Sequence, residues 1–519
     1  MEGFLVFDLS NDLIFKLVNE KMKKKLQGIA QRMGVLDDDA DELTSDSYIH
    51  IFNPLLANLR FMLIQWKTLY AENQDVCLEV IEQLTVNNDV KNNIITSLEL
   101  ALEKLKQEPQ YQRNHGVIFV GNKFLSIFSM RTSQQLTPAD ILFLNIFCQI
   151  IEPAGKVDSC LLFLRGTTNS CIPHKVYRIA ITEEITLLLL SEHGNSIISS
   201  NLYESFVQLN KIKILQAQTD MDALVIETDK LDKCVRNFND VQKKVKNGGP
   251  EMDECVKNFQ NKYESLKKKY VEMLKIMDKS QLVKVESYFP YFLEAIKELY
   301  KLSFVNDTDR KPFADQEKVF LNISAIVSDK ISKYFDLLES KSKNNFTMST
   351  YLEEFAGLVH FIFIDRQRGT CYTPNIDATA KETSVQFKTK VWDMIEAARN
   401  YLQNGQTTVI WKDFGFSYSY SLWFEDSNGQ VLKPKDQAGV LAAKPCSVPG
   451  MLAQDYYQNL IESLFPKVVN GVNKIKCFEL MTIHLGLVTP HLQLEHSRRL
   501  VATIYDMNEM VSNNLFDLL

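Results

Sequence analysis

The stretch that decides the fold runs from Asn345 to Lys433: it opens NFTMSTYLEEFAGLVHFIFIDRQRG, continues through FKTKVWDMIEAARNYLQNG and closes with FSYSYSLWFEDSNGQVL. Leu358–Ile364 is a run of β-formers, apolar except for His360, before a charged turn with Gly369, and this predicts a buried strand. Phe387–Gln403 has apolar residues at helical spacing and ends at Asn404-Gly405, so it predicts an amphipathic helix.

Three strands are expected after this helix. Thr407–Trp411 and Phe416–Phe424 have strand composition, and the hairpin signal Asp426–Gly429 separates them from Val431-Leu432. A further helix is predicted over Met451–Leu464. The order of strand, short strand, helix, three-strand meander and helix indicates a small α/β (α+β) sandwich, in which helices cover an antiparallel sheet.

The same order of elements recurs upstream. Residues 115–216 predict two strands paired around Gly121-Asn122, a helix capped by Thr137, three strands and a second helix. The first 70 residues predict only the front half of this order of elements, with strands over Gly3–Leu9 and Leu13–Val18. The repeat is therefore one of element order rather than residue identity. The C-terminal segment Lys474–Leu519 is expected to be helical, with a break at Gly486–Pro490.

Composition limits the class of function. The chain has 519 residues, enough for three or four domains, and a net charge of -7 that argues against nucleic-acid binding through bulk charge. No apolar run reaches the length of a membrane span, and MEGFLVFDLS lacks the positive start of a signal peptide. Nine scattered cysteines without a C-x-x-C pair suit a reduced compartment, so we place the chain in the cytosol.

Motifs for covalent chemistry are absent from the sequence. It contains no phosphate loop, no G-x-G-x-x-G, no G-x-S-x-G and no H-E-x-x-H. Four histidines sit singly in or beside predicted strands, as core or edge histidines do: His115, His174, His193 and His360. A helix could bring His491 near Glu495, with His484 and His496 close in sequence, but no further ligand follows at zinc spacing. We predict no catalytic, cofactor or metal site, and a solvated turn at Asp365-Arg366 with Arg368.

Four stretches carry a family resemblance: NFTMSTYLEEFAGLVHFIFIDR, FKTKVWDMIEAARNYLQNGQTT, SLWFEDSNG and GMLAQDYYQNL. They resemble the C-terminal part of the Hermansky–Pudlak syndrome type-one protein family, the first subunit of the biogenesis of lysosome-related organelles complex three. LTPADILFLNIFCQIIEP is similar too. The resemblance implies three longin-like domains. This sequence departs from the family pattern in the first of them, where the strands after the first helix are not visible. We predict a first longin-like domain over 1–75, incomplete; a helical connector over 76–114; a second domain over 115–216; a helical arm over 217–344; and a third domain over 345–519.

The resemblance also implies a function without bond chemistry. Such a chain is a subunit of a guanine-nucleotide exchange factor for Rab GTPases of the thirty-two and thirty-eight branch, which act in the biogenesis of lysosome-related organelles such as pigment granules. Its obligate heterodimer partner is the Hermansky–Pudlak syndrome type-four protein. It is cytoplasmic, with peripheral recruitment to endosomal, lysosomal or lysosome-related organelle membranes, and needs no cofactor. The alternative is a non-catalytic adaptor or scaffold subunit that binds a partner longin protein or a Rab.

Two sets of residues are candidates for contacts. In related exchange factors the first longin domains of the two subunits form the platform for the GTPase. The GTPase-facing candidates in the two N-terminal strands are therefore Phe4, Leu5, Val6, Phe7, Leu13 and Phe15, with plain core strand as the alternative. The third domain offers aromatic residues that match the family as subunit contacts or core: Trp392, Trp423, Phe424, Tyr456 and Tyr457.

Overall fold

The N-terminal hairpin predicted from the sequence is present. The computed structural model describes residues 3–7, 13–18, 68–108, 111–150, 157–166, 172–193, 196–218, 221–243, 250–276, 285, 287–305, 313–343, 353–376, 381–433, 456–465 and 475–512. Strands β1 (Gly3–Phe7) and β2 (Leu13–Val18) pair antiparallel, with Val6 opposite Phe15. The helix predicted from residue 47 lies outside the described residues as far as residue 67, whereas residues 68–72 are helical.

The next part of the chain is short helix, short strand and long helix. These are α1 (Gln74–Leu78), β3 (Ile81–Glu82) and α2 (Asn88–Leu105). The side chain of Asn87 accepts a hydrogen bond from the backbone N–H of Val90 at 2.9 Å, which caps α2 at its start. The segment predicted as a helical connector therefore also contains a strand.

The second unit is a five-stranded antiparallel sheet of order β5-β4-β8-β7-β6. Its elements are β4 (Asn114–Val120), β5 (Lys123–Ser129), α3 (Pro138–Ile150), β6 (Val157–Leu164), β7 (Ile172–Ala180), β8 (Ile185–Glu192) and α4 (Ser196–Gln218). Thr137 caps α3 as predicted: its Oγ1 accepts from the backbone N–H of Asp140 at 3.2 Å, and Asp140 Oδ2 accepts from the Thr137 N–H at 2.8 Å.

The segment predicted as a helical arm is helical, but its helices serve two cores. They are α5 (Met221–Gln242), α6 (Pro250–Ile276), α7 (Phe289–Tyr300), α8 (Phe313–Ile331) and α9 (Phe335–Lys343). Helices α4 to α7 bury a common apolar core around Phe238, Phe259 and Phe292. Helix α8 instead packs with α2 on the second sheet, where Phe320 stacks on Tyr177 with 3.6 Å between ring centroids. The other face of that sheet is covered by α3.

The third unit contains a larger sheet of order β11-β12-β14-β9-β10-β3. Its elements are β9 (Leu358–Asp365), β10 (Thr370–Tyr372), α10 (Lys381–Gln403), β11 (Thr408–Lys412), β12 (Phe416–Glu425), β13 (Val431–Leu432), α11 (Tyr456–Leu464), β14 (Lys476–Leu485) and α12 (Pro490–Ser512). Helices α10 and α11 cover one face, and α12 covers the other. Leu358–Ile364, the helix ending at Gln403 and the Asp426–Gly429 turn are confirmed.

The helix predicted from Lys474 to Gly486 was wrong, because this stretch is the central strand β14. Met481 and Ile483 face the core under α10, whereas Phe478 and Leu480 face the core under α12. A strand buried on both faces has no alternation of polar and apolar residues, so its sequence cannot be told from that of a buried helix.

With β14 in place, the two sheets have the same connectivity. In each, the first and second strands pair, the last strand lies beside the first, and the fourth and then the third follow outward. Strand β13 is an extra short strand on β12, with Leu432 opposite Phe424, rather than the third strand of the meander. The predicted repeat of α/β sandwiches with antiparallel sheets is thereby confirmed for the second and third units.

Candidate functional site

The two sheets are joined by residues 69–84, here called the junction segment. Strand β3 runs parallel to β10, and the Ile81 N–H donates to the Gly369 carbonyl at 2.9 Å. Three residues further on, the Leu84 N–H donates to the Phe124 carbonyl of β5 at 2.8 Å. The junction segment thus supplies hydrogen-bond partners to the corresponding edge strands of both units, edges that would otherwise be open to other chains.

Apolar side chains of the junction segment divide between the two units. Three of them are buried in the core of the third unit: Cys77, Leu78 and Val80. Two others, Val76 and Ile81, are buried with Leu142 and Ile146 of α3 in the second unit. A short helix and a two-residue strand cannot be stable alone, so this shared burial is what holds the segment in place.

Two arginines of the third unit bind the carboxyl end of α1. Arg366 Nη1 donates to the Leu78 carbonyl at 2.7 Å, and Arg399 Nη2 donates to the Cys77 carbonyl. Arg399 Nη1 also donates to the Tyr70 hydroxyl at 2.9 Å. The last carbonyls of a helix have no partner within it, so the guanidinium groups satisfy acceptors that would be costly to bury. Glu79, which follows, has a left-handed backbone with φ 58°.

Arg366 belongs to a buried polar network. Its Nε lies 2.5 Å from Glu479 Oε2, and the Arg366 and Glu479 side chains are only 8% and 2% exposed. Glu479 Oε1 accepts from the Tyr420 hydroxyl at 2.6 Å and from the Tyr457 hydroxyl at 3.2 Å. Burial, together with the Glu479 carboxylate, raises the pKa of Tyr420 well above its usual range, so its hydroxyl remains a donor. The solvated turn predicted at Asp365-Arg366 was therefore wrong, since Asp365, the last residue of β9, is buried as well.

A second charged group lies on the side of the second unit. Lys123 of β5 is buried and forms an ion pair with Glu82 of β3, and its Nζ donates to Asn375 Oδ1 at 3.2 Å. Asp75 is buried close by. Burial, and then the Glu82 carboxylate, raise the pKa of Asp75 to about 7, so this carboxyl is partly protonated at neutral pH.

His360, predicted as a core histidine, is buried at the junction. Its Nε2 donates to Gln74 Oε1 at 3.0 Å, and Gln74 Nε2 donates to the Pro374 carbonyl at 3.1 Å. Burial lowers the pKa of His360 to about 3, so the imidazole is neutral. The start of α1 is thereby held by hydrogen bonds to β9 and to the loop after β10.

The aromatic candidates of the third unit occupy different positions. Phe424 and Tyr456 are buried in the core under α10, and Trp423 stacks on Phe478 on the opposite face. Trp392 Nε1 donates to the Tyr70 carbonyl at 3.2 Å, and Tyr457 lies with its ring 4.3 Å from the Arg366 guanidinium. Trp392 and Tyr457 therefore contribute to the junction, while contacts with a partner subunit remain a prediction. The six candidates on β1 and β2 remain predictions as well.

The C-terminal histidines meet in a different combination from the expected one. His496 of α12 places Nδ1 at 3.3 Å from Nε2 of His484 on β14, whereas His491 is exposed near the start of the helix. Sequence spacing could not reveal this pair because β14 was interpreted as a helix. Arg399 and Glu479 were missed for a similar reason: their partners lie in distant segments.

Among the described helices, none has the length and apolarity to span a membrane.

Comparison with protein-family models identifies both sheet-bearing units. Residues 111–209 match the second longin domain of FUZ, MON1 and HPS1, and residues 357–507 match the third longin domain of FUZ, MON1 and HPS1. The matches coincide with the two sandwiches of shared connectivity. Both leave out the junction segment, which precedes the first match.

Proposed function

We propose, from the premise that this chain carries the second and third longin domains of the FUZ, MON1 and HPS1 family, that it is a subunit of a Rab guanine-nucleotide exchange factor. Longin domains supply sheet edges and helix faces for binding, so the work is done by recognition and not by bond chemistry. An exchange factor binds the nucleotide-free GTPase more tightly than the loaded one, which weakens nucleotide binding by linkage.

The observation that carries this proposal is the junction segment. It lies in the chain between the β1–β2 hairpin and the second unit, and its helix is bound by Arg366 and Arg399 of the third unit while Leu84 bonds to the second. Differential binding needs a surface that does not deform with its ligand, because ordering a flexible surface consumes binding free energy. A segment buried against two sandwiches gives the N-terminal unit, with its β1–β2 hairpin, a fixed point of attachment.

The finer assignment rests on the stretches that resemble the Hermansky–Pudlak syndrome type-one family. It makes the type-four protein of the same complex the heterodimer partner and Rab GTPases of the thirty-two and thirty-eight branch the substrates. The site of action is then the membrane of lysosome-related organelles and their endosomal or lysosomal precursors. The alternative function is an adaptor subunit that binds the same partner or a Rab without releasing nucleotide.

Nucleotide release decides between the two. A Rab of the thirty-two branch is loaded with a fluorescent guanosine diphosphate, and release is followed with the chain alone, the type-four protein alone and the purified complex. We expect the complex to accelerate release at least about tenfold, equivalent to roughly 1.4 kcal/mol of differential binding, with neither subunit active alone. Unchanged release by a complex that still binds the Rab would establish the adaptor function instead.

The junction provides a matched pair of variants for the same assay. Arg366→Met removes a guanidinium that binds α1, whereas Arg368→Met removes a partly exposed one two residues away. If the junction fixes the N-terminal unit, Arg366→Met lowers the rate of nucleotide exchange by the complex and Arg368→Met does not. Equal activity of the two complexes would contradict a role of the junction in exchange.

A further inference from the structure

Three polar side chains meet on one face of the second sheet, outside the junction: His115 of β4, His174 of β7 and Glu192 of β8. Glu192 is directly opposite His174 in the strand pairing, and His115 is opposite Leu190, two residues before Glu192. Residues two apart on a strand share a face, so all three point to the same side. One possible ligand atom from each lies within 4.8 Å of the other two.

The hydrogen bonds of the two imidazoles leave one nitrogen of each unused. His174 Nδ1 lies 2.9 Å from the Ile172 carbonyl, which can only accept, so Nδ1 carries the proton and Nε2 has the lone pair. His115 Nδ1 lies 2.8 Å from Ser129 Oγ. Both Nε2 atoms are buried without a hydrogen-bond partner. Both imidazoles are almost fully buried, with 0% and 2% exposure, and ring nitrogens left without a partner in this way are unfavourable unless something binds them.

The carboxylate is oriented from its other side. Glu192 Oε1 accepts from the Gln134 backbone N–H at 2.9 Å, and Oε2 lies 3.2 Å from Arg113 Nη1. The Glu192 side chain is 3% exposed but the Arg113 side chain is 44% exposed. The cluster therefore lies beneath one arginine side chain at the end of the sheet, a short distance from solvent.

We propose that His115, His174 and Glu192 bind one divalent transition-metal ion, with zinc as the best match. Two imidazole nitrogens and one carboxylate oxygen are a ligand set that zinc uses, and a water molecule can complete a tetrahedral site. Ile172, Ser129, Gln134 and Arg113 are then the outer groups that orient the ligands. Burial lowers the pKa of His115 to about 3 and also lowers that of His174, so both are in the neutral form that coordinates metal.

The proposed ion would connect three neighbouring strands. Zinc–nitrogen bonds of about 2.0–2.1 Å place tetrahedral ligands roughly 3.3 Å apart, so the three side chains contract by a rotamer adjustment when the ion binds. Val117, Leu188 and Leu190 line the same face beside the cluster and are buried with Phe147 of α3. This apolar wall keeps water from the inner side of the ion, and the consequence is stabilisation of the sheet that carries the second longin domain.

Metal binding by the full-length chain tests the proposal. The protein, in complex with its partner where the partner is needed for solubility, is stripped with a chelator and titrated with Co²⁺ and then Zn²⁺. We expect about one tight ion per chain, a tetrahedral Co²⁺ spectrum without thiolate bands, and a thermal midpoint that rises with Zn²⁺ concentration, because the ion binds the folded state. No tight ion, or a Co²⁺ spectrum with thiolate bands that places the metal on cysteine, overturns it.

Variants separate this cluster from the other buried histidines. His174→Gln and Glu192→Gln should each weaken Zn²⁺ binding at least about tenfold, as loss of a ligand or its support does. His496→Gln, which changes a buried imidazole of the third unit, should leave it unchanged. Retained stoichiometric binding in both cluster variants, or its loss in His496→Gln alone, contradicts the assignment. The wild-type spectrum decides the question if a cluster variant does not fold.

Discussion

Replacing Arg366 with methionine tests how the junction is held. Methionine keeps most of the apolar stem but removes the charge and the donors. The Leu78 carbonyl loses its donor, and the buried Glu479 carboxylate keeps only the hydroxyls of Tyr420 and Tyr457. An anion is then left uncompensated in a site where water cannot reach it.

The expected cost follows from the burial of the pair. Both side chains of the Arg366–Glu479 pair are less than a tenth exposed, and removing one partner of such a pair costs about 3–5 kcal/mol. Adding Glu479→Gln in the same chain removes the unpaired charge, so the double variant should recover a part of the lost stability. The coupling energy between the two positions should be about 1–3 kcal/mol. The neighbouring Arg368, whose Nε lies 3.8 Å from Asp365 and whose side chain is 37% exposed, should cost less than about 1 kcal/mol when changed to methionine.

Hydrogen exchange at the junction is the direct assay. The backbone N–H groups of Ile81 and Leu84 bond across to the third and second units, so their protection reports opening of the segment. A loss of 3–4 kcal/mol corresponds to exchange roughly 100- to 1,000-fold faster, with denaturant unfolding as the global measure. The reasoning is refuted if Arg366→Met costs no more than Arg368→Met, or if exchange at these two amides is unchanged.

Three further substitutions should change the stability of the chain in a stated direction. The folded-state pKa of Asp75 is about 7 against a usual 3.8, so the contribution of this carboxyl to stability is lost as pH rises from about 4 to about 7. Asp75→Asn should therefore flatten the dependence of stability on pH and stabilise the chain at pH 8 by up to roughly 4 kcal/mol. Denaturant unfolding at pH 5.5 and at pH 8 measures both effects. Gly369 has φ +62° and a Cβ there would overlap Pro138, so Gly369→Ala should lower the melting temperature and cost at least about 1–2 kcal/mol. Thr137→Ala removes the cap of α3 and should cost about 1 kcal/mol in denaturant unfolding; no measurable loss in either variant would contradict its assigned role.

Much of the fold follows from local patterns. The Thr137 cap, the Gly121-Asn122 hairpin and the turn at Asp426–Gly429 are set by residues within a few positions of one another, and each was predicted. Gly121 and Gly429 both have positive φ, as such turns require. The repeated order of elements was visible for the same reason.

The candidate site was not visible, because it is built from non-local contacts. Strand β3 has two residues, too short for any periodicity, and it pairs with β10 almost 300 positions later. Glu479 lies within a strand buried on both faces, so its sequence resembled a helix and its pairing with Arg366 could not be inferred. His115, His174 and Glu192 come from three strands whose register only the sheet defines.

The junction elements α1 and β3 also set the order in which parts of the chain can fold during synthesis. Gln74 hydrogen-bonds His360, 286 positions further along the chain. At about 5–20 residues per second, a ribosome needs roughly 15–60 s to make that stretch. The third sandwich is therefore a discontinuous domain. Its elements α1 and β3 leave the ribosome first, and most of their burial becomes possible only after the rest of the third unit has been made. A chain begun after residue 84 would lack both elements, leaving β10 as an open edge and the core beneath Arg366 and Arg399 exposed to aggregation.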